Sequence, residues 1–254
     1  MIMKIVRCKT KKSFSYGVLE GETIHLLEGE PYLRQNRTGE ELFRNDVVLL
    51  APCEPSKIVA IGINYAPHAQ ELDFDIPPVP LIFLKPPSAV IGPEEAILLP
   101  PMSAQVDYEG ELAVVIGKRT KDINEEKALD AVFGYSCIND VTARDLQKND
   151  IQFTRSKSFD TFAPLGPSIE TELDPLRVQV KSYVNGEMRQ SANTSTMIRS
   201  VPELISFISR IMTLMPGDVI ATGTPAGVGQ LQGGDRVSVE IDEIGILSNV
   251  VHSA

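Results

Sequence analysis

Asp107-Tyr-Glu-Gly-Glu-Leu112 runs without a break into Ala113-Val-Val-Ile116, and Gly117-Lys118 closes the stretch. Valine, isoleucine and leucine dominate the run, so it reads as a buried strand. Side chains alternate across a strand, which sends Asp107, Glu109 and Glu111 to one face. Carboxylates stacked in an apolar element repel one another, and each gives up hydration worth several kcal/mol unless positive charge is supplied. A divalent cation supplies it most simply, and an all-oxygen donor set suits Mg2+, Mn2+ or Ca2+. A solvent-facing acidic edge would show the same Glu-x-Glu spacing, so the pair becomes informative only beside other residues.

Working outward, Lys57 to Ile63 is a second apolar strand, and it leads into Asn64-Tyr65-Ala66-Pro67-His68-Ala69-Gln70-Glu71. Pro67 fits the first turn of a helix, and His68 and Glu71 then fall three apart on one face of that turn. A carboxylate bonded to one ring nitrogen fixes the tautomer and leaves the other nitrogen as a base. An exposed helical pair is the plainer reading of His-x-x-Glu, but only three histidines occur in the chain. Downstream, Phe133 to Ile138 is a strand that ends in Asn139-Asp140, and a turn over Val141 to Gln147 follows. Asp140 is either the N-cap of that turn or a third oxygen ligand. Arg144 and Gln147 share a helical face. Lys157 stands either at the surface or beside a developing anion that its charge would stabilise.

At 254 residues the chain is long enough for one large domain with a small appendage. Its 43% hydrophobic and 23% charged residues are ordinary for a globular protein. A formal net charge of −10, with one short basic run at Lys9-Thr-Lys-Lys12, repels phosphate backbones, so nucleic acid is excluded as a partner. No apolar run reaches the ~20 residues of a membrane span. The opening Met1-Ile-Met-Lys-Ile-Val has no signal-peptide pattern. Cys8, Cys53 and Cys137 are scattered and unpaired by spacing, which fits a reducing cytoplasm.

Short strands are expected at Met3–Cys8, Ser15–Leu19 and Thr23–Leu27, with a short helix within the polar stretch Glu28–Arg44. Pro52-Cys-Glu-Pro55 marks a boundary, giving a small N-terminal α+β domain over residues 1–54 and a catalytic domain over 55–254. The prolines between Ile76 and Met102 punctuate short strands. Ile123–Leu129 reads as helical, Asn185-Gly186 turns a hairpin, and Ser200-Val-Pro-Glu203 caps an amphipathic helix through Ile211. His25 sits in an alternating strand as a structural or surface histidine. Gly117-Lys118 is no phosphate loop, because Leu112 stands where the first glycine is required. The glycines of Thr222-Gly-Thr-Pro-Ala-Gly-Val-Gly229 are wrongly spaced for a dinucleotide fingerprint and read instead as a polar loop lining a pocket.

Taken together, Asn64-Tyr-x-x-His68-x-x-Glu71, Phe83-Leu-Lys-Pro86, Asp107-Tyr-Glu-x-Glu-Leu112, Asn139-Asp-Val-Thr-Ala-Arg-Asp-Leu-Gln147, Lys157-Ser-Phe-Asp-Thr-Phe-Ala-Pro-Leu-Gly-Pro167 and the Thr222–Gly229 loop resemble the fumarylacetoacetate hydrolase family, in its order, over residues 57–250. The N-terminal segment resembles an appendage found in some bacterial and archaeal members. The resemblance implies an α+β, mostly β fold built on a mixed β-roll, assembled as a homodimer. It also implies Mg2+ or Mn2+ held by Glu109, Glu111 and Asp140, with His68 and Glu71 as the water-activating dyad. By the same resemblance Gln147 and Lys157 stabilise an enolate or orient a carboxylate, and Tyr65, Arg144 and Thr224 bind substrate. Asp107 and Tyr108 stand behind the site.

The chemistry that follows is electron withdrawal from a chelated 2-oxo acid, so that bond cleavage leaves an enolate on the cation in place of a free carbanion. The dyad directs this toward hydrolysis of a C–C bond in a 2,4-dioxo acid of the acylpyruvate or fumarylpyruvate type. The same site without water attack would isomerise 2-hydroxyhepta-2,4-diene-1,7-dioate or decarboxylate oxaloacetate. A catalytically silent binding protein is the remaining reading, and the intact dyad and ligand set speak against it.

Overall fold

Within the strand Gly110–Ile116, Leu112, Val114 and Ile116 pack on one face, while Ala113 and Val115 pack on the other. A strand buried on both faces has no place for polar residues, so its sequence is continuously apolar instead of alternating. The computed structural model describes residues 3–10 and 14–253; Lys11 and Lys12 of the basic run lie outside the described residues.

Among the described residues this strand belongs to a twelve-stranded sheet. Its neighbours are Val132–Asn139 on one side and Val219–Ala221 on the other, both antiparallel, with Ala113 facing Ser136 and Ala221. Val219–Ala221 pairs in parallel with Ile58–Gly62, which pairs in turn with the last strand, Leu81–Lys85. A second sheet of five strands, including Gln179–Val184, Arg236–Ile241 and Gly245–Ser253, covers one face. The main core lies between them: Val59, Leu112 and Val114 meet Val180, Val239 and Leu247, and the helix Val201–Ile211 adds Leu204, Ile205 and Ile208. Ser200 caps that helix, its hydroxyl accepting the Glu203 N–H. Strands dominate and the helices are short, which is the mostly β architecture expected.

Toward the N-terminus, Lys4–Lys9 pairs with Ala163–Glu170, so the first strands extend the same sheet. Ile5, Val18 and Leu27 join its second core, while Val6, Cys8, Ile24, Leu26 and Leu49 form a small cluster of their own. The helix expected within Glu28–Arg44 is instead the strand Arg37–Phe43, followed by a single 3-10 turn, Arg44–Asp46. It is an edge strand exposed along nearly its whole length, so no burial imposes the alternation that would identify it. His25 sits between Glu20 and Glu41, 3.2 Å from each, in the surface role expected. The cysteines Cys8, Cys53 and Cys137 are free and buried. No helix among the described residues is long and apolar enough to cross a membrane.

Two differences bear on the site. The stretch from Asp107 to Ile116 is not one strand: Val106–Tyr108 pairs in a small three-stranded sheet, Gly110–Ile116 in the large one, and Glu109 falls between them. The turn after Asp140 is also shifted, with a short strand Thr142–Ala143 preceding the helix Arg144–Asn149.

Candidate active site

The parallel strands Ile58–Gly62 and Val219–Ala221 end at one edge of the sheet, where the antiparallel Gly110–Ile116 begins. Asn64 joins the two loops beyond them, its amide donating to the carbonyls of Thr222 (2.7 Å) and Arg199 (3.0 Å). Glu109, in the break between strands, is fixed by backbone bonds: its N–H goes to Asn139 Oδ1 (2.9 Å), and its carbonyl accepts the Asp140 N–H (2.8 Å). The break therefore brings Glu109 and Asp140 side by side. Glu111 follows after Gly110, which has no room for a side chain, since a Cβ would lie 2.0 Å from Ser182 Oγ. The carboxylates of Glu109, Glu111 and Asp140 are buried, and one oxygen from each lies within 4.8 Å of the other two.

Three buried cations surround them. Lys157 Nζ donates to Glu109 Oε2 and Asp140 Oδ2, both at 2.7 Å, and lies 5.0 Å from the centre of the Phe83 ring. Lys85 Nζ donates to Asp140 Oδ1 and to the Lys157 carbonyl, both at 2.6 Å. Arg144 bonds Glu109 through Nη2, Asp107 Oδ2 through Nε (2.8 Å) and Gln147 Oε1 through Nη1 (2.5 Å). Burial alone would raise the pKa of Glu109, but the charges of Lys157 and Arg144 outweigh it and hold the carboxyl well below the usual range. Glu111 goes the other way. Burial, then the charges of Asp140 and Glu109, push it well above the ordinary value, and the Gly223 N–H at 2.7 Å lowers it only in part. Burial depresses Lys85, whereas for Lys157 the pull of Asp140 and Glu109 exceeds the desolvation that would lower it.

This arrangement fits a divalent cation. Four buried carboxylates, Asp107, Glu109, Glu111 and Asp140, face three buried cations, Lys85, Arg144 and Lys157, which leaves negative charge in excess. The excess falls on Glu111, the one member of the acidic triad with neither lysine nor arginine bonded to it among the described contacts. Each carboxylate oxygen of Glu109 and Asp140 keeps a second lone pair for an ion.

Facing the triad, the helix Ala66–Glu71 carries His68, whose Nδ1 lies 3.0 Å from Glu71 Oε2. A carboxylate at Nδ1 sets the proton there and leaves Nε2 with a free lone pair. His68, Glu109, Glu111, Arg144, Gln147, Lys157 and Thr224 line one cleft, walled otherwise by Phe74, Phe83, Phe153 and other apolar side chains. Tyr65 does not line it; it is buried, with its hydroxyl lacking a partner among the described residues. Asp107 orients Arg144, and Tyr108 reaches the carbonyl of Gly227 (2.8 Å). Two buried residues of this network carry no role in the sequence reading. Lys85 shares strand parity with Phe83, which lines the cleft, and that parity was its signal. Gln190, whose amide meets Gly110 N, Thr224 Oγ1 and the Pro225 carbonyl, lies on a hairpin strand far away in sequence and left none.

The profile of the Fumarylacetoacetate (FAA) hydrolase C-terminal family matches residues 57–252. The chain belongs to the fumarylacetoacetate hydrolase family. The Rv2993c-like, N-terminal profile matches residues 3–52. Among its relatives in the family, the mitochondrial oxaloacetate tautomerase FAHD2B of Bos taurus is 46% identical over 221 residues, 82% of this chain and 70% of that protein. The crystal structure of 5-carboxymethyl-2-hydroxymuconate delta-isomerase from Mycobacterium smegmatis superposes with a TM-score of 0.94 at 42% identity, covering 99% of this chain and 100% of that one. Maleylpyruvate hydrolase from Sphingobium sp. SYK-6, in complex with manganese (II) ion and pyruvate, gives 0.83 at 31% identity over 99% and 100% of the two chains. These fumarylacetoacetate hydrolase family neighbours are enzymes: a tautomerase, an isomerase and a hydrolase.

Proposed function

We propose that the chain is a divalent-metal-dependent hydrolase that cleaves a C–C bond in a 2,4-dioxo acid of the acylpyruvate type. The observation that carries this reading is the His68–Glu71 pair, 3.0 Å apart, on the wall of the cleft that holds Glu109 and Glu111. Mg2+ or Mn2+ on Glu109, Glu111 and Asp140 would draw electrons from the carboxylate and keto oxygens of the 2-oxo end. His68 Nε2 takes a proton from water, and Glu71 stabilises the imidazolium that results. The hydroxide adds to the C4 carbonyl, the C3–C4 bond breaks, and its electron pair becomes the enolate of pyruvate. Lys157 and Arg144 hold positive charge beside the developing anion. Protonation at C3 then gives pyruvate, and the acyl group leaves as a carboxylate.

A second reading keeps the same residues but has His68 move a proton on carbon, giving keto–enol tautomerisation or diene isomerisation without water attack. The 46% identity to the tautomerase and 42% to the isomerase support it. NMR of the products separates the two. Acetylpyruvate should yield acetate and pyruvate with Mg2+ or Mn2+ present, and His68→Ala should slow that release by about a hundredfold. A substrate that keeps all its carbons while its enol fraction re-equilibrates would move the assignment to the second reading.

A further inference from the structure

Gly227 is held at both of its main-chain polar groups. Its N–H donates to Glu71 Oε1 at 2.9 Å, and its carbonyl accepts the Tyr108 hydroxyl at 2.8 Å. Glu71 ends the helix that carries His68, and Tyr108 directly precedes Glu109. A single residue thus ties the base-bearing helix to the carboxylate-bearing segment. The chain has no alternative there: φ is +103°, and a Cβ would come 2.1 Å from the carbonyl oxygen of Arg189. At the other end of the same loop, Gln190 accepts the Gly110 N–H (3.0 Å) and donates to Thr224 Oγ1 (2.8 Å) and the Pro225 carbonyl (2.7 Å). The loop is therefore a rigid bracket built on the backbone that presents Glu109 and Glu111.

The helix needs such a bracket. It is six residues long, and its N-cap residue Tyr65 makes no side-chain cap bond. One and a half turns do not hold themselves in water, so the position of His68 is set by contacts from outside the helix.

We infer that Gly227 is a latch for the Ala66–Glu71 helix, and that Tyr108 is the positioning residue that sets it. The Tyr108 hydroxyl fixes the carbonyl of Gly227, the fixed residue aims its N–H at Glu71 Oε1, and Glu71 then has only Oε2 to offer His68. Tyr108 touches no reacting atom; it acts through Glu71. The inference rests on the reading of His68 and Glu71 as the base pair.

Hydrogen exchange followed by mass spectrometry on the purified full chain tests it without a substrate. Tyr108→Phe removes one hydroxyl and keeps the buried ring. Exchange in the peptide over residues 66–74 should quicken by roughly two- to tenfold, the change expected from one lost net hydrogen bond. The strand Gly110–Ile116 should exchange as in the wild type, which excludes general loosening. In Glu71→Ala the latch is already open, so adding Tyr108→Phe should leave residues 66–74 unchanged. Wild-type exchange in Tyr108→Phe overturns the latch, as does acceleration of equal size in both backgrounds. Failure of the underlying reading looks different: full turnover of acetylpyruvate by Glu71→Ala removes the base pair while leaving the exchange result to stand.

Discussion

Lys85 is buried among Asp140, the Val141 carbonyl and the Lys157 carbonyl, and it holds two parts of the site in register. A lysine taken out of water is tolerated only because Asp140 accepts its charge at 2.6 Å. Lys85→Met removes the cation and leaves Asp140 Oδ1 and the Lys157 carbonyl without their donor. The expected loss is about 3 kcal/mol of unfolding free energy, the scale of a broken buried pair, read from urea denaturation in EDTA. An unchanged midpoint would mean that Lys85 is a bystander. Residues of this kind explain why the site was only partly legible in sequence. His68, Glu109 and Glu111 stand at spacings with a chemical meaning of their own. A lone lysine at the end of an apolar strand has only its parity with Phe83 to mark it, and its burial follows from Asp140, more than fifty residues away.

Among the elements, the segment Asp107–Ile116 was read as a strand because Ala113–Ile116 is buried on both faces and had to be apolar. Its interruption at Glu109 was not legible, because it depends on Asn139 replacing a ladder partner for the Glu109 N–H. The strand Arg37–Phe43 was missed for the opposite reason, since an exposed edge imposes no pattern. The same stretch offers a test of how tightly the two sheets set the carboxylates. Gly110→Ala puts a methyl against Ser182 Oγ and should cost about 1–3 kcal/mol in thermal or urea unfolding. Ser182→Ala in the same chain should recover part of the loss. If Gly110→Ala is neutral, the strand has room to move and the spacing of Glu109 and Glu111 is not fixed by this packing.

For the whole molecule, the large sheet ends at Leu81–Lys85, and around that end Phe74, Ile76, Val79, Leu84 and Ile151 are exposed. An apolar edge strand left open invites a partner. We propose that it is covered by a second copy of the chain, giving the homodimer. Light scattering should return twice the 27.8 kDa of one chain, and Leu84→Glu with Ile151→Glu should return one. A monomeric wild type would refute this. The fold as a whole serves to bring a strand break, a strand start and a loop to one edge, where the charge of Asp107, Glu109, Glu111 and Asp140 exceeds what Lys85, Arg144 and Lys157 neutralise. Calorimetric titration with Mn2+ tests that account most directly. One ion should bind per wild-type chain, and Glu109→Gln, Glu111→Gln and Asp140→Asn should each abolish or severely weaken it. A wild type that takes up no ion, or three variants that bind it as the wild type does, would contradict the account.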